Sequence, residues 1–167
     1  MKLLIVRHAD AGDRDEFAKT GKSDNLRPLS EKGRDQVKSG ARGLIKLVPS
    51  ADLLVSSPYT RAQETAEIVR KVYGKLEEEE TSALEPEVAP SEFEAWLKSQ
   101  SDHEVVIAVG HEPHLSTLAT WFIAGTEDSR IDLKKGGACL LVFDGRAKKG
   151  AGILRWLMGP KELAAIG

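Results

Sequence analysis

Two histidines and two arginines, each just past the end of a short apolar run, are the residues best placed to do chemistry in this 167-residue chain. The run Leu3–Val6 passes straight into Arg7 and His8. Leu53–Val55 is followed by Ser56, Ser57, Pro58 and then Arg61, and Val105–Val109 leads to Gly110 and His111. Guanidinium groups are planar forks of donors that keep their charge and match phosphate oxygens. Helix N-termini following Pro58 and Pro113 would add N–H donors and a dipole that favours an anion. A pocket built from these parts suits a dianionic phosphate. An imidazole beside that anion offers two chemistries: activation of water as a general base, or direct nucleophilic attack.

These groups meet only if the fold brings the ends of the runs together. The runs are rich in Val, Ile and Leu and lack alternation, as expected of strands covered on both faces of a sheet. Two more follow at Ala138–Phe143 and Ile153–Leu157. Between the runs the spacing turns helical. Val37, Ala41, Leu44, Ile45 and Val48 line one face of Ser30–Val48, and Ala62, Ala66, Val69 and Tyr73 do the same in Pro58–Tyr73. Further helices are expected across Ser91–Ser99 and Pro113–Ala124. Ser30 is a natural N-cap, with Glu31 near the positive end of the dipole, and Ser57-Pro58 reads as a cap followed by proline at the first helical position.

The alternation of strand and helix predicts an α/β protein, a three-layer α/β/α sandwich around a mostly parallel sheet, as a single domain over residues 1–167. The Gly-rich, basic turn Asp144–Gly152 is short enough for a hairpin, which makes the sheet mixed. Ligands of open α/β sheets sit beyond the carboxyl ends of the strands, and this places Arg7, His8, Arg61 and His111 in one pocket. The polar segment Gly12–Pro28 is long for a connection and reads as an irregular lip over that pocket. The charge run Glu77–Glu80 reads as a solvated helix end or loop.

At larger scale the residues resemble a known family. Arg7-His8-Ala9, Pro28-Leu29-Ser30-Glu31-Lys32-Gly33, Ser57-Pro58-Tyr59-Thr60-Arg61-Ala62-Gln63-Glu64-Thr65-Ala66 and Gly110-His111-Glu112-Pro113 occur in the order seen in the histidine phosphatase superfamily. The short length, Ala9 after the Arg-His pair and the ending Trp156…Pro160 resemble its SixA-type phosphohistidine phosphatase branch. The resemblance covers nearly the whole chain and implies a phosphoglycerate-mutase-like fold. It implies that His8 is a nucleophile carrying a transient phosphoryl group, that Arg7 and Arg61 clamp the phosphate oxygens, and that His111 completes the cradle. It also implies that no metal or other cofactor is needed. The substrate would be phosphohistidine on a protein; a small phosphate ester is the alternative, and a catalytically silent phosphate-binding module is a third reading.

Attack by His8 requires a neutral imidazole, and two nearby arginines should lower its pKa. Displacing an alcohol also requires a proton donor. Asp10, Asp13, Asp15, Glu85 and Glu87 are available, and Glu85 and Glu87, flanking Pro86, are the candidates that could reach the pocket. If the donor is weak, a phosphoramidate, which releases imidazole, is the easier substrate. Arg27, just before Pro28, is a candidate for the rim. His114 is expected to be structural, His103 exposed, Cys139 a small hydrophobe in a strand, and Trp96, Trp121 and Trp156 core or core-edge residues.

Composition narrows the partners. Lys+Arg number 24 against 26 Asp+Glu, a formal net charge of -2, which argues against non-specific binding of nucleic acid or an anionic membrane surface. A single cysteine excludes an internal disulfide framework and a multi-cysteine metal site. Apolar runs fall short of the roughly 20 residues of a membrane span, and the early Arg7 argues against a secretory signal. The expectation is a cytoplasmic protein.

Overall fold

The computed structural model describes residues 1–100 and 102–167. Its strands are β1 (Lys2–Arg7), β2 (Leu53–Ser56), β3 (Glu77–Glu80), β4 (Val105–Gly110), β5 (Ala138–Val142) and β6 (Ile153–Met158). The helices are α1 (Arg14–Ala18), α2 (Glu31–Leu47), α3 (Thr60–Tyr73), α4 (Pro90–Ser99), α5 (His114–Ala124) and α6 (Pro160–Ile166). All six strands form one sheet in the order β3-β2-β4-β1-β5-β6. The β3, β2, β4 and β1 neighbours pair in parallel, whereas β5 pairs antiparallel with β1 and β6 antiparallel with β5. The sheet is thus mixed, as the short turn after β5 predicted.

Side chains that alternate along the buried strands feed two apolar layers. Leu4, Val6, Leu54, Ile107 and Val109 point to α2, α3 and α6, meeting Val37, Ala41, Leu44, Ala62, Ala66, Val69 and Leu163. Leu3, Ile5, Leu53, Val55, Val106 and Ala108 point the other way, to Phe93 and Leu97 of α4 and Leu115, Leu118 and Phe122 of α5. Full burial of each such Leu or Phe contributes about 1.5–3 kcal/mol. Cys139 packs in the second layer, and Trp96, Trp121 and Trp156 are partly buried at the edges of the two layers.

Several expectations change. Glu77–Glu80 is a strand, β3, paired in parallel with β2, and not a helix end or loop. Glutamate is a poor strand former, but this strand lies at the sheet edge with its side chains largely exposed. There a row of charges is tolerated and discourages pairing with another chain. The segment Gly12–Pro28 is less irregular than expected, holding α1 and a 3-10 turn at Asp24–Leu26. Helix α3 begins at Thr60 with Tyr59 as its N-cap, so Pro58 precedes the helix. His103 is half-buried beside Glu77, and α6 packs closely on α2 without having been foreseen.

Local chemistry fixes α2 against the end of β1. Ser30 caps it by accepting from the Gly33 N–H at 3.0 Å, as the sequence reading expected. A Cβ at Gly33 would overlap the carbonyl oxygen of Asp10, two residues past His8, so only glycine allows this approach. Asp10 also takes the Ser30 N–H on its carbonyl at 2.9 Å and the Ser30 hydroxyl on its carboxylate at 2.7 Å. Among the described residues no helix is long and apolar enough to cross a membrane.

Candidate active site

Strand register brings three strand ends level. Val109 of β4 stands opposite both Val6 of β1 and Ser56 of β2. His8, Ser57 and His111 therefore emerge side by side from the carboxyl edge of the sheet. The His8 and His111 rings lie 4.9 Å apart between centroids, and Tyr59 sits against His111 at the same separation. Arg61, in the first turn of α3, directs its Nε to His8 Nε2 at 3.2 Å. His8, Arg61 and His111 are all buried.

The hydrogen bonds of His8 define its tautomer. Its Nδ1 lies 2.7 Å from the carbonyl oxygen of Ala9, which can only accept, so the proton is on Nδ1. Nε2 keeps a lone pair and accepts from Arg61. Burial, more than the neighbouring charges of Arg61, Arg7 and Arg27, holds the His8 pKa at about 3; the Ala9 hydrogen bond opposes the fall. The arginines thus act in the expected direction but second to desolvation. His111 is pulled down to about 2, again chiefly by burial, then by His8 and Arg61. Its Nε2 is 2.8 Å from the Ser57 hydroxyl, while its Nδ1 has no protein partner. His114, the first residue of α5, is buried and also lowered by burial, to about 4.

A cleft of about 620 Å³ borders this group, sharing Arg61 and Tyr59 with it. Arg61, Tyr59 and Pro58 line one side; Arg14, Asp24, Asn25 and Arg27 line another; Glu85, Glu87, Val88 and Glu112 line the rest. Arg27 lines the cleft, but it is buried and already engaged. Its Nη1 donates to the carbonyls of Ala11 and Gly12 at 3.1 and 3.2 Å, and its Nε donates to Asp24 at 2.8 Å. Asp24 also faces Arg61, whose Nη1 is 3.2 Å from its carboxylate and 2.9 Å from its carbonyl oxygen. Burial would raise the Asp24 carboxyl, but the Arg27 hydrogen bond and the Arg61 charge win and hold it below the usual range.

Arg7 acts through its charge on both His8 and His111. Its Nη1 donates to the Leu133 carbonyl at 2.8 Å, and its buried Nε has no partner. Glu85 and Glu87 both reach the cleft, with Glu87 exposed on its rim. Three residues the sequence reading did not assign to the site also belong here. Ser57 orients His111, and Asp24 joins Arg27 to Arg61. Glu112 lines the cleft with its Oε2 accepting from the Ser116 hydroxyl at 2.6 Å and its buried Oε1 unpartnered. Burial raises the Glu112 carboxyl against the opposing Ser116 hydrogen bond and Arg7 charge. Its position directly after His111 was the available signal; its burial depends on the packing of α5 and is invisible in the letters.

Comparison with known proteins accords with this geometry. Residues 3–89, just over half the chain, match the model of the histidine phosphatase superfamily (branch 1). The chain is 32% identical over 140 residues, 82% of each protein, to an uncharacterized protein of Picosynechococcus sp.. Among solved structures it resembles the protein histidine phosphatase SixA complexed with tungstate, at TM-score 0.81 and 24% identity over 98% of this chain and 99% of that one. It also resembles the alpha-ribazole phosphatase from Shigella flexneri, at TM-score 0.75 and 18% identity over 96% and 97% of the two chains. At such identities the structures speak for the fold, which is that of the phosphoglycerate-mutase-like proteins. The family match, with the Arg-His pair at the end of β1 inside it, settles the relationship: this chain belongs to the histidine phosphatase superfamily.

Proposed function

We propose that the protein is a metal-independent phosphatase that works through a phosphohistidine at His8, and that it removes phosphate from phosphohistidine on a protein in the manner of SixA. The observation that carries the reading is the state of His8: neutral, with Nδ1 tied to Ala9 and the Nε2 lone pair beside a guanidinium. A phosphoryl group entering the cleft meets Arg61 at the attacking nitrogen. Once Arg61 turns from Asp24, its Nη1 is available to the phosphoryl oxygens. Arg7 adds positive charge, and His111 offers its free ring nitrogen as a further hydrogen-bonding group. Positive charge fixed in a desolvated site is the main way such a transition state is stabilised, and here the arginines supply it.

The likeness of fold to SixA, whose structure holds the tetrahedral oxyanion tungstate, supports a protein-borne phosphoramidate as substrate. The location is proposed to be the cytoplasm. One observation favours a second substrate class, a small phosphate ester: the carboxyl of Glu112 in the cleft. In either case His8→Ala should leave the fold intact and lower turnover by at least ~100-fold, equivalent to ~2.7 kcal/mol. The test assays wild type and variant on a phosphohistidine-bearing protein and on an aryl phosphate, in buffer with chelator. An acid-labile phosphoenzyme mapping to His8 would confirm the route. Turnover by His8→Ala near that of the wild type would refute it, and binding of phosphate without turnover would indicate a silent module.

A further inference from the structure

Helices α2 and α3 cover the face of the sheet opposite α4 and α5, and they differ from the rest of the chain in charge. Helix α2 carries five Lys or Arg against two Asp or Glu, and α3 carries three against two, in a chain whose net charge is -2. We propose that the groove between α2 and α3 docks an acidic amphipathic helix of a partner protein, and that this partner is the protein bearing the phosphohistidine. The docking stands on the groove alone; the partner's identity as substrate rests on the proposed function.

The groove has a basic wall and an apolar one. It encloses about 310 Å³ and is lined by Lys38 and Arg42 of α2 and by Ile68, Lys71 and Val72 of α3. Lys38 and Arg42 are four residues apart, as are Ile68 and Val72, so each pair forms a ridge along its own helix. Side chains of a third helix laid along the groove pack between such ridges. Ile68 and Val72 are half-buried and rest on the apolar layer beneath, which gives the incoming helix a floor. The stems of Lys38, Arg42 and Lys71 extend that apolar surface while their charged ends stay in water. Another part of α2 is already covered, since Gly40 and Gly43 lie against Leu163 of α6.

Charge selects the occupant. Arg42 is exposed and has no ion-pair partner among the described residues. Lys38 and Lys71 have only exposed neighbours on their own helices, Asp35 at 3.1 Å and Glu67 at 2.7 Å. Exposed pairs of this kind are weak and exchange readily. A helix with Leu towards Ile68 and Val72 and Glu towards the three cations satisfies both walls, whereas a basic or uncharged helix leaves the cations unmet. Position ties the groove to the cleft. Ser30, the cap of α2, bonds Asp10 two residues past His8, and Arg61 stands in the first turn of α3. Lys38 lies eight residues beyond that cap, about 12 Å along the helix axis. One partner chain therefore reaches groove and cleft together through a short linker.

Fluorescence anisotropy tests the dock with a labelled helical peptide of about two heptads, Leu along one face and Glu elsewhere, against the same peptide with Gln for Glu. The acidic peptide should bind at least about tenfold more tightly, and the preference should shrink as salt rises from about 20 to about 200 mM. Combining Lys38→Gln, Arg42→Gln and Lys71→Gln should abolish the preference and leave turnover of p-nitrophenyl phosphate at the wild-type level. Val72→Ala should weaken both peptides about threefold. Equal affinity for the two peptides overturns the dock. So does a preference that survives the triple substitution, which would move the binding to the arginines of the cleft. Binding to phosphatidylserine vesicles without binding to the peptide overturns it in favour of a membrane surface. A second measurement joins each peptide through about six flexible residues, about 20 Å when extended, to a phosphohistidine peptide. The acidic fusion should show a KM about tenfold below the neutral one at equal kcat, and the triple variant should erase the difference. Docking without that gain in KM overturns the identification of the partner as substrate. Hydrolysis of p-nitrophenyl phosphate but of neither fusion overturns the phosphohistidine reading, while the anisotropy result still decides the groove.

Discussion

His8 and His111, a floor of buried bases beside the Arg61 and Tyr59 that line the cleft, are kept without a proton, whereas Glu112, on the cleft wall, is a half-buried acid whose pKa is raised. Both follow from desolvation, which disfavours whichever form is charged. Asp24, on the opposite wall, is the instructive third case, since Arg27 and Arg61, with Arg14 further off, hold its carboxyl below the usual range despite partial burial. Floor and walls thus differ in what accompanies each group, not simply in depth. On the proposed reading the neutral floor would provide the nucleophile.

This contrast predicts opposite responses to pH, and the largest effect is on stability. His8, His111 and His114 have folded pKa values of about 3, 2 and 4, below the ordinary 6.5. Between those values and 6.5 the unfolded chain binds more protons, so stability is full above about pH 6.5 and is lost as pH falls. Each histidine contributes a slope of about 1.4 kcal/mol per pH unit in that window. Glu112, raised, contributes with the other sign: its effect is lost as pH rises through the folded value. Denaturant titrations from pH 7 to 5 should show a fall of several kcal/mol in unfolding free energy; a flat profile would mean the floor is not held neutral.

Next in size is the guanidinium that joins floor to wall. Arg61→Ala removes the donor to His8 Nε2 and the partner of Asp24, and should cost about 100-fold in turnover, the scale of losing one preorganised donor. A loss confined to KM would make Arg61 a binding group and leave the floor to work alone. The smallest effect concerns a single hydrogen bond on the floor. Ser57→Ala frees His111 Nε2, worth about 1 kcal/mol or about fivefold in kcat. A much larger loss would show that Ser57 fixes the protonation of His111 and not just its position.

The floor was legible in the chain because each member sits immediately beyond an apolar run, and strand ends can be read locally. Arg7-His8, Arg61 and Gly110-His111 needed only the inference that their strands are neighbours, which the register bears out. The walls were not legible in the same way. Asp24 lies in a segment read as irregular, and its role depends on two arginines, one of them in α3. Glu112 stands in a quoted motif, yet its half-buried placement depends on packing against Ser116 of α5, which the motif does not show. The misreading of Glu77–Glu80 has a related cause: β3 is held by backbone pairing to β2, and intrinsic preference pointed away from a strand.

Arg27 clasps the carbonyls of Ala11 and Gly12, which closes the base of the stretch between them into an Ω-shaped excursion with its own neck. Beyond that neck, Glu64 of α3 holds the Leu29 N–H at 2.7 Å and Arg34 at 2.7 Å, anchoring the return strand of the excursion to the scaffold. Within the excursion, Asp24 is the one residue tied through Arg61 to His8 Nε2, so changes that spare it are insulated from that nitrogen. Relatives could acquire new substrate preferences by exchanging this one excursion, and a transplanted tip that respects residues 11, 12, 24 and 27 should alter selectivity while His8 stays in place.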